Sequence, residues 1–276
     1  MPNIGNIFGP AAGTDEREDG PLAADGGGDA ARVGTRAGEV VLRASDLAKT
    51  YDSPLPFTRT VSVLDGADLE LRGGEIVGIV GENGSGKSTL MKLLVGALAP
   101  DRGRVERPGA VGWCPQESLL YDRLTVAETF TLFGRAYGLS DAAIADARER
   151  LADRLDFRRF LEYRVDRLSG GNRQKLTLAV ALMHDPDVVL LDEPYTGLDW
   201  ETYLAFWDLT EELTARGTAI AIISHFVSER ERFDRIYELA DGRLHERAAE
   251  APDTPAATGR SEAHGGAATA ERGDGP

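Results

Sequence analysis

The sequence lacks several features that would point to particular classes of protein. It holds one cysteine, Cys114, in 276 residues, which excludes an internal disulfide and a metal cluster held by cysteines. No apolar run approaches the roughly 18 residues that a membrane-spanning helix needs, so the chain is not expected to cross a bilayer. The N-terminus has neither a basic start nor a sustained apolar segment, so no secretory signal is expected. A cytoplasmic protein is therefore predicted, with Cys114 as a small buried strand residue.

Positive charge is also scarce. The chain carries 31 Lys and Arg against 46 Asp and Glu, a formal net charge of −15. Residues 1–38 and 248–276 each contribute −3, so −9 remains on the segment between them. Because an acidic surface repels phosphate backbones at long range, nucleic acid is not expected as a partner.

The two ends lack hydrophobic periodicity. Residues 1–38 are dominated by Gly, Ala, Asp and Glu, and a similar composition returns over residues 248–276. Such segments bury too little apolar surface to offset the entropy lost on ordering. An acidic disordered tail is therefore predicted at the N-terminus and a polar one at the C-terminus, with one domain over residues 39–247.

Short apolar runs alternate with helical periodicities in the middle segment. Residues 76–80 and 188–191 are apolar runs typical of strands covered on both faces, and a helix is predicted from Lys87 to Pro100. This alternation favours an α/β fold with a mainly parallel sheet and right-handed crossovers. Residues 117–168 instead show two helical stretches, which predict a helical insertion.

A glycine-rich loop lies between a predicted strand and a predicted helix. Residues 81–88 read Gly-Glu-Asn-Gly-Ser-Gly-Lys-Ser, and such glycines let backbone N–H groups point at phosphates beside a helix N-terminus. Lys87 is expected to reach the β and γ phosphates, and Ser88 to bind magnesium. The alternative is an ordinary glycine turn before a helix. The residues predicted to bind a nucleoside triphosphate here are Gly81, Asn83, Gly84, Ser85, Gly86, Lys87, Ser88 and Thr89.

Two adjacent carboxylates follow the apolar run at residues 188–191. A strand that ends in Asp192 would bring this carboxylate to the metal beside Ser88. Glu193, the next residue, is then placed to orient and polarise a water for attack on the γ-phosphate. The alternative for both carboxylates is a solvated turn or a helix cap.

These motifs, with others along the chain, resemble those of the ATP-binding cassette family in order and approximate separation. The resemblance covers about residues 39–247. It implies a P-loop NTPase core, an antiparallel β subdomain, and a helical subdomain, inserted at about 117–168, that carries the signature motif. The residues and segments that carry the resemblance are Tyr51, 81–89, Gln116, 168–171, 188–193, Asp199 and His225.

The resemblance implies roles for residues around the chain's own nucleotide. Tyr51 resembles the aromatic residue that stacks on adenine, although Phe57 is a competitor for this contact and Tyr51 has the alternative of packing against a nearby proline. Gln116 resembles the glutamine that contacts magnesium and reports to a membrane partner. His225 resembles the switch histidine near the γ-phosphate, with loop capping as its alternative. Glu193, His225 and Gln116 are thus expected to act in hydrolysis.

Other roles concern a second copy of the chain. Ser169, Gly170 and Gly171 resemble the signature loop, which meets the γ-phosphate held by a second subunit, and Asp199 resembles the residue that crosses between the two sites. The resemblance therefore implies a head-to-tail dimer, either with a second copy or with a homologous ATP-binding subunit.

The function implied by the resemblance is ATP hydrolysis, with ATP and Mg²⁺ as cofactors, in a subunit that powers a separate transmembrane permease. Such a subunit is expected at the inner face of the cell membrane, bound through the permease, and export is favoured over import. The alternative is a soluble ATPase of the same family that drives a non-transport protein machine, such as iron-sulfur cluster assembly.

Overall fold

The computed structural model describes residues 37–52, 60–224 and 230–247. The predicted C-terminal tail and all of the predicted N-terminal tail except residues 37 and 38 lie outside this part of the chain, as do Phe57 and His225. The domain bounds stay predictions. The described strands are β1 (Val40–Tyr51), β2 (Val61–Arg72), β3 (Ile76–Val80), β4 (Arg102–Glu106), β5 (Val111–Cys114), β6 (Val188–Asp192), β7 (Ala219–Ile223), β8 (Arg235–Ala240) and β9 (Arg243–Arg247), and the α-helices are α1 (Lys87–Val95), α2 (Val126–Ala136), α3 (Asp141–Arg154), α4 (Gly170–Leu182) and α5 (Trp200–Ala215).

A six-stranded sheet with the order β5-β6-β7-β3-β8-β9 forms the centre of the fold. Its first five strands are mutually parallel, and β9 joins the edge antiparallel to β8. The inner strands β6 and β7 are buried along their whole length, as expected for parallel strands covered on both faces. The predicted α/β fold with a mainly parallel sheet is confirmed.

A second, three-stranded antiparallel sheet has the order β2-β1-β4. Strands β1 and β2 each run for 12 residues, much further than the short apolar stretches at 40–42 and 67–71 predict. The register between them shifts at several points, and Asp46 takes a left-handed backbone with φ 51°. Because each shift moves the following side chains to the other face, the simple alternation that marks a strand is lost.

The helices begin at side-chain caps that the sequence carries. Thr125 and Glu128 form a reciprocal capping box at the start of α2, and the hydroxyl of Ser140 accepts from the N–H of Ala143 at the start of α3. Helix α1 ends at Val95, before the predicted end, because Gly96 adopts a left-handed conformation with φ 82°. No helix in the described part of the chain is long and apolar enough to span a membrane.

The six-stranded sheet separates two buried hydrophobic clusters. Val189 and Leu191 of β6 face the cluster formed with helices α2 to α5, whereas Val188 and Leu190 face the one formed with α1 and the small sheet. Successive strand residues point to opposite faces, so a single strand contributes to both. Each fully buried side chain of this kind contributes about 1.5–3 kcal/mol. The clusters thus fix the strands whose ends carry the site.

Candidate functional site

The candidate site lies at the carboxyl ends of β3 and β6. In the sheet these strands are separated by β7 alone, and all three are parallel. Their carboxyl ends therefore open at one edge, where α/β proteins commonly bind ligands. The glycine-rich loop follows β3, and the two carboxylates lie at and just after the end of β6.

Two glycines in the loop between β3 and α1 have positive φ angles and leave no room for a side chain. Gly81 has φ 155° and Gly86 has φ 105°. A Cβ atom on Gly81 would lie 2.7 Å from the carbonyl oxygen of Leu239, and one on Gly86 would lie 2.6 Å from a methyl carbon of Val63. Helix α1 starts directly after Gly86 without a side-chain cap and without an acidic residue in its first turn. Its N-terminal N–H groups and positive dipole end thus suit an anion.

Lys87 folds back over this loop. Its Nζ donates to the carbonyl oxygens of Gly81 and Glu82, both at 2.8 Å, and the residue is buried. Burial lowers the pKa of Lys87, while the charges of Glu193 and Asp192 oppose that shift. An ammonium group has three N–H donors, and Lys87 directs two of them at loop carbonyl groups. Its positive charge thus interacts with the carboxylates of Asp192 and Glu193.

Ser88 and Asp192 are brought into contact, as the sequence predicts. The Ser88 hydroxyl donates to Oδ2 of Asp192 at 3.1 Å, and Asp192 is buried. Within the described residues, no cluster of three or more His, Cys, Asp or Glu side chains could hold a metal by itself. A hydroxyl and one carboxylate are nevertheless oxygen donors of the kind that Mg²⁺ takes together with substrate phosphates. A turn or cap role for Asp192 does not fit its burial at the end of β6.

Glu193 has an unusual backbone. Its φ is 51°, in the left-handed region where a non-glycine residue is strained by about 1–3 kcal/mol. Its N–H donates to the carbonyl of Ile223 at 3.1 Å, and Nε2 of Gln116 donates to its Oε2 at 3.3 Å. The structure thus places Gln116 beside Glu193.

Tyr51 lies at the end of β1, beside the start of α1. Its hydroxyl is 3.4 Å from Oγ1 of Thr89, and 41% of the residue is exposed. An exposed aromatic ring next to the phosphate loop is available for stacking.

The signature residues and Asp199 lie at helix starts. The Ser169 hydroxyl accepts from the N–H of Asn172 at 3.3 Å and caps α4, and Asp199 caps α5 by accepting from the N–H of Thr202 at 2.9 Å. The hydrogen bonds from Thr202 hold the pKa of Asp199 below its usual value. In the part of the chain that the structure describes, no hydrogen bond joins Ser169, Gly170 or Asp199 to the glycine-rich loop of the same molecule.

Two further residues contact the segment around Glu193, and sequence reasoning did not find them. Nε2 of Gln174 donates to the carbonyl of Pro194 at 3.1 Å, and the hydroxyl of Tyr195 donates to the hydroxyl of Ser224. Both bonds join residues that are distant in sequence, so no local pattern marks them. The same Gln174 nitrogen lies 3.6 Å from the sulfur of Cys114, and burial raises the pKa of this thiol to about 12. The predicted buried strand cysteine is confirmed.

Comparison with known proteins decides the family. A model of the family described as ABC transporter matches residues 64–196. A Nod factor export ATP-binding protein I from Cupriavidus metallidurans is 37% identical over 207 residues, an alignment that covers 67% of this chain and 67% of that protein. The chain belongs to the ABC transporter family.

Other members of the ABC transporter family are similar over a comparable part of the chain. The Nod factor export ATP-binding protein I of Paraburkholderia xenovorans is 37% identical over 198 residues, which cover 66% of this chain. The chain spans 64% of the length of that relative.

Solved structures of ABC proteins share the fold. The ATP-binding subunit of an ABC transporter has a TM-score of 0.69 at 28% identity, covering 76% of this chain and 90% of the other. A dimeric bacterial ABC transporter cassette has a TM-score of 0.67 at 25% identity, covering 76% of this chain and 99% of the other. The P-loop ATPase fold implied by the sequence is thus confirmed for this member of the family.

Proposed function

We propose that the protein is the ATP-hydrolysing subunit of an exporter and powers a separate membrane permease. The observation that carries the proposal is the convergence of Lys87, the Ser88–Asp192 contact and Glu193 at one edge of the sheet. Lys87, at the N-terminus of α1, supplies positive charge for phosphates, and Ser88 and Asp192 supply oxygen donors for a metal. Glu193 supplies a carboxylate that can orient water.

Phosphate binding belongs to the glycine-rich loop. The N–H groups at the start of α1 would bind the β and γ phosphates, and Lys87 would donate to their oxygens in place of the carbonyls of Gly81 and Glu82. The nucleotide-binding set comprises Tyr51 on adenine and the loop residues Gly81, Asn83, Gly84, Ser85, Gly86, Lys87, Ser88 and Thr89. Among these, Ser85 supports the proposal because its buried hydroxyl oxygen has no hydrogen-bond partner in the described structure.

The metal-binding set comprises Ser88, Gln116 and Asp192. Mg²⁺, when bound, neutralises charge on the β and γ phosphates. Gln116 also contacts Glu193, so its side chain links the metal position to the carboxylate that acts on water. Glu193 accepts a hydrogen bond from that water and orients it for in-line attack. His225 follows Ser224 in the chain and is assigned to the γ-phosphate.

The active form is a head-to-tail dimer. Helix α4 begins at Ser169 with Gly170 open to solvent, since a Cβ atom on Gly170 would meet nothing within 4 Å. Exposed N–H groups at a helix start suit a phosphate, and the partner's γ-phosphate is the one assigned to Ser169, Gly170 and Gly171. Asp199 is assigned to the boundary between the two sites. The dimeric form of a solved relative supports this arrangement.

The permease is assigned to the helical region after Gln116. Leu119, Tyr121 and Leu132 are large apolar residues there with 41%, 44% and 43% exposure, and exposed apolar residues of this kind suit a protein partner. Docking there would hold the protein at the inner face of the membrane. Export is the direction named for the relatives from C. metallidurans and P. xenovorans. The relatives described above carry transporter names, which favours transport over the non-transport alternative.

Two experiments test the proposal. The full chain with Mg²⁺ should hydrolyse ATP to ADP and phosphate, and absence of turnover at any protein concentration, with no permease added, would count against an ATPase that acts as a simple dimer. A tagged chain should also recover a multi-spanning protein from detergent-solubilised membranes. Recovery of a soluble scaffold protein instead would contradict a transport role.

A further inference from the structure

The strained conformation of Glu193 is held by contacts from neighbouring elements. Each residue of the segment 193–195 makes a hydrogen bond to a different residue outside the segment. The N–H of Glu193 binds the carbonyl of Ile223 at the end of β7, the carbonyl of Pro194 accepts from Gln174 on α4, and the hydroxyl of Tyr195 donates to Ser224. A left-handed non-glycine residue persists only where its surroundings impose it.

Gln174 connects this segment to the signature helix. It lies on α4, the helix capped by Ser169, and its side-chain nitrogen is 3.1 Å from the carbonyl oxygen of Pro194. The position of the residue directly after Glu193 is therefore tied to the helix whose start is assigned to the partner's nucleotide.

Tyr195 connects the same segment to the strand that leads to the phosphate loop. Its hydroxyl binds Ser224, a residue with 2% exposure whose N–H donates to the carbonyl of Ile79 on β3 at 3.2 Å. Its ring packs edge-on against Tyr203 and Phe206, with centroids 5.8 and 5.9 Å away. Both the ring and the hydroxyl of Tyr195 are therefore fixed.

We propose that Gln174 and Tyr195 are positioning residues that hold Glu193 where its carboxylate can act on water, from the signature helix on one side and the sheet on the other. The inference rests on the proposed ATPase function. Neither side chain needs to touch the nucleotide, so each acts through the backbone of 193–195. A carboxylate displaced by about 1 Å from its working position can cost a factor of roughly 100 in rate.

The test uses substitutions that remove a donor and keep volume. Gln174→Met and Tyr195→Phe in the full chain are compared with two controls that remove a similar bond elsewhere. Thr210→Val removes the bond from the Thr210 hydroxyl to the carbonyl of Trp207, at 2.7 Å on α5. Tyr237→Phe removes the bond from the hydroxyl of Tyr237 on β8 to Glu246 on β9.

Both Gln174→Met and Tyr195→Phe should lower kcat by roughly 10-fold to 100-fold while leaving KM for ATP and the Kd for ATP within about twofold, because phosphate binding lies in another loop. They should also accumulate an ATP-bound dimer on size exclusion with light scattering, since ATP still binds but turns over slowly. A purely structural defect would lower the dimer fraction instead.

Two outcomes would overturn the inference. One is that both variants keep kcat close to that of the two controls, and the other is that they lose dimer and ATP affinity together. Failure of the proposed function is distinct, because the unmodified chain would then show no ATP hydrolysis at all.

Discussion

Replacement of Glu193 by Gln removes one charge and little else. The amide oxygen of Gln has the size of a carboxylate oxygen and can still accept from Nε2 of Gln116, which lies 3.3 Å from Oε2 of Glu193. The left-handed backbone of φ 51° strains Gln as much as Glu, so the free energy of unfolding should hardly change. The variant should therefore keep the fold and the phosphate loop.

The expected loss lies in the rate of hydrolysis. General-base assistance contributes about 10²–10⁴-fold, which corresponds to about 3–5 kcal/mol of transition-state stabilisation. ATP affinity should stay the same or rise, because the variant removes a negative charge that acts on Lys87 beside the phosphates. The combination of slow turnover and intact binding should accumulate an ATP-bound dimer.

The assay measures phosphate release, ATP affinity and molar mass with and without Mg-ATP. Glu212→Gln is a matched control, since Glu212 lies on α5 and pairs with Arg154 at 3.5 Å. Turnover in Glu193→Gln within about twofold of this control would refute the assignment of the water-activating carboxylate to Glu193. Loss of ATP binding would instead show that the variant damages the phosphate loop.

Three other substitutions probe the site and its scaffold. Lys87→Ala should weaken ATP affinity in a direct binding assay, whereas Lys92→Ala, on the exposed face of the same helix, should not; equal affinities would count against the phosphate loop. Gly86→Ala should lower the free energy of unfolding in urea by about 1–3 kcal/mol, because its Cβ would lie 2.6 Å from Val63 at φ 105°; an unchanged midpoint would contradict this. Hydrogen bonds from Lys49 and Thr50 of β1 lower the pKa of Asp101 from 3.8 to about 2 in the folded state. The ionised carboxylate therefore contributes to stability above about pH 4, and this contribution is lost as the pH falls to about 2. The difference in stability between the wild type and Asp101→Asn should shrink over that interval, and a constant difference would argue against the shift.

The sequence predicts the phosphate-binding half of the site because the groups involved are contiguous or follow a single strand. The loop at 81–88 carries its own glycines, lysine and serine, and the apolar run of β6 ends in Asp192. Because these strands are parallel, the sheet brings both chain segments to the same edge. The fold class follows from the same alternation of strands and helices.

Other features depend on contacts between distant residues. Gln174 and Pro194 lie on different elements, as do Tyr195 and Ser224, so no spacing along the chain indicates that they meet. The left-handed backbone of Glu193 is likewise imposed by its neighbours, since Glu has no preference for that conformation. Tertiary contacts decide these details.

The ends of some helices and strands were also not predicted correctly from the sequence, for physical reasons. Gly96 ends α1 because it adopts a left-handed conformation, whereas the pattern of apolar residues continues to Leu98. In β1, register shifts and the left-handed Asp46 conceal a 12-residue strand. Ser169 and Asp199 each cap a helix of their own chain, and we propose that the same two positions face a partner molecule.

We propose that a second molecule completes the nucleotide-binding site, so that a single chain does not hydrolyse ATP. The most direct measurement is ATP hydrolysis per chain as a function of the concentration of the unmodified protein, with molar mass measured under the same conditions. Activity per chain should be close to zero where the protein is monomeric and should rise to a plateau as the dimer forms. A constant activity per chain at concentrations where the protein remains monomeric would contradict the account.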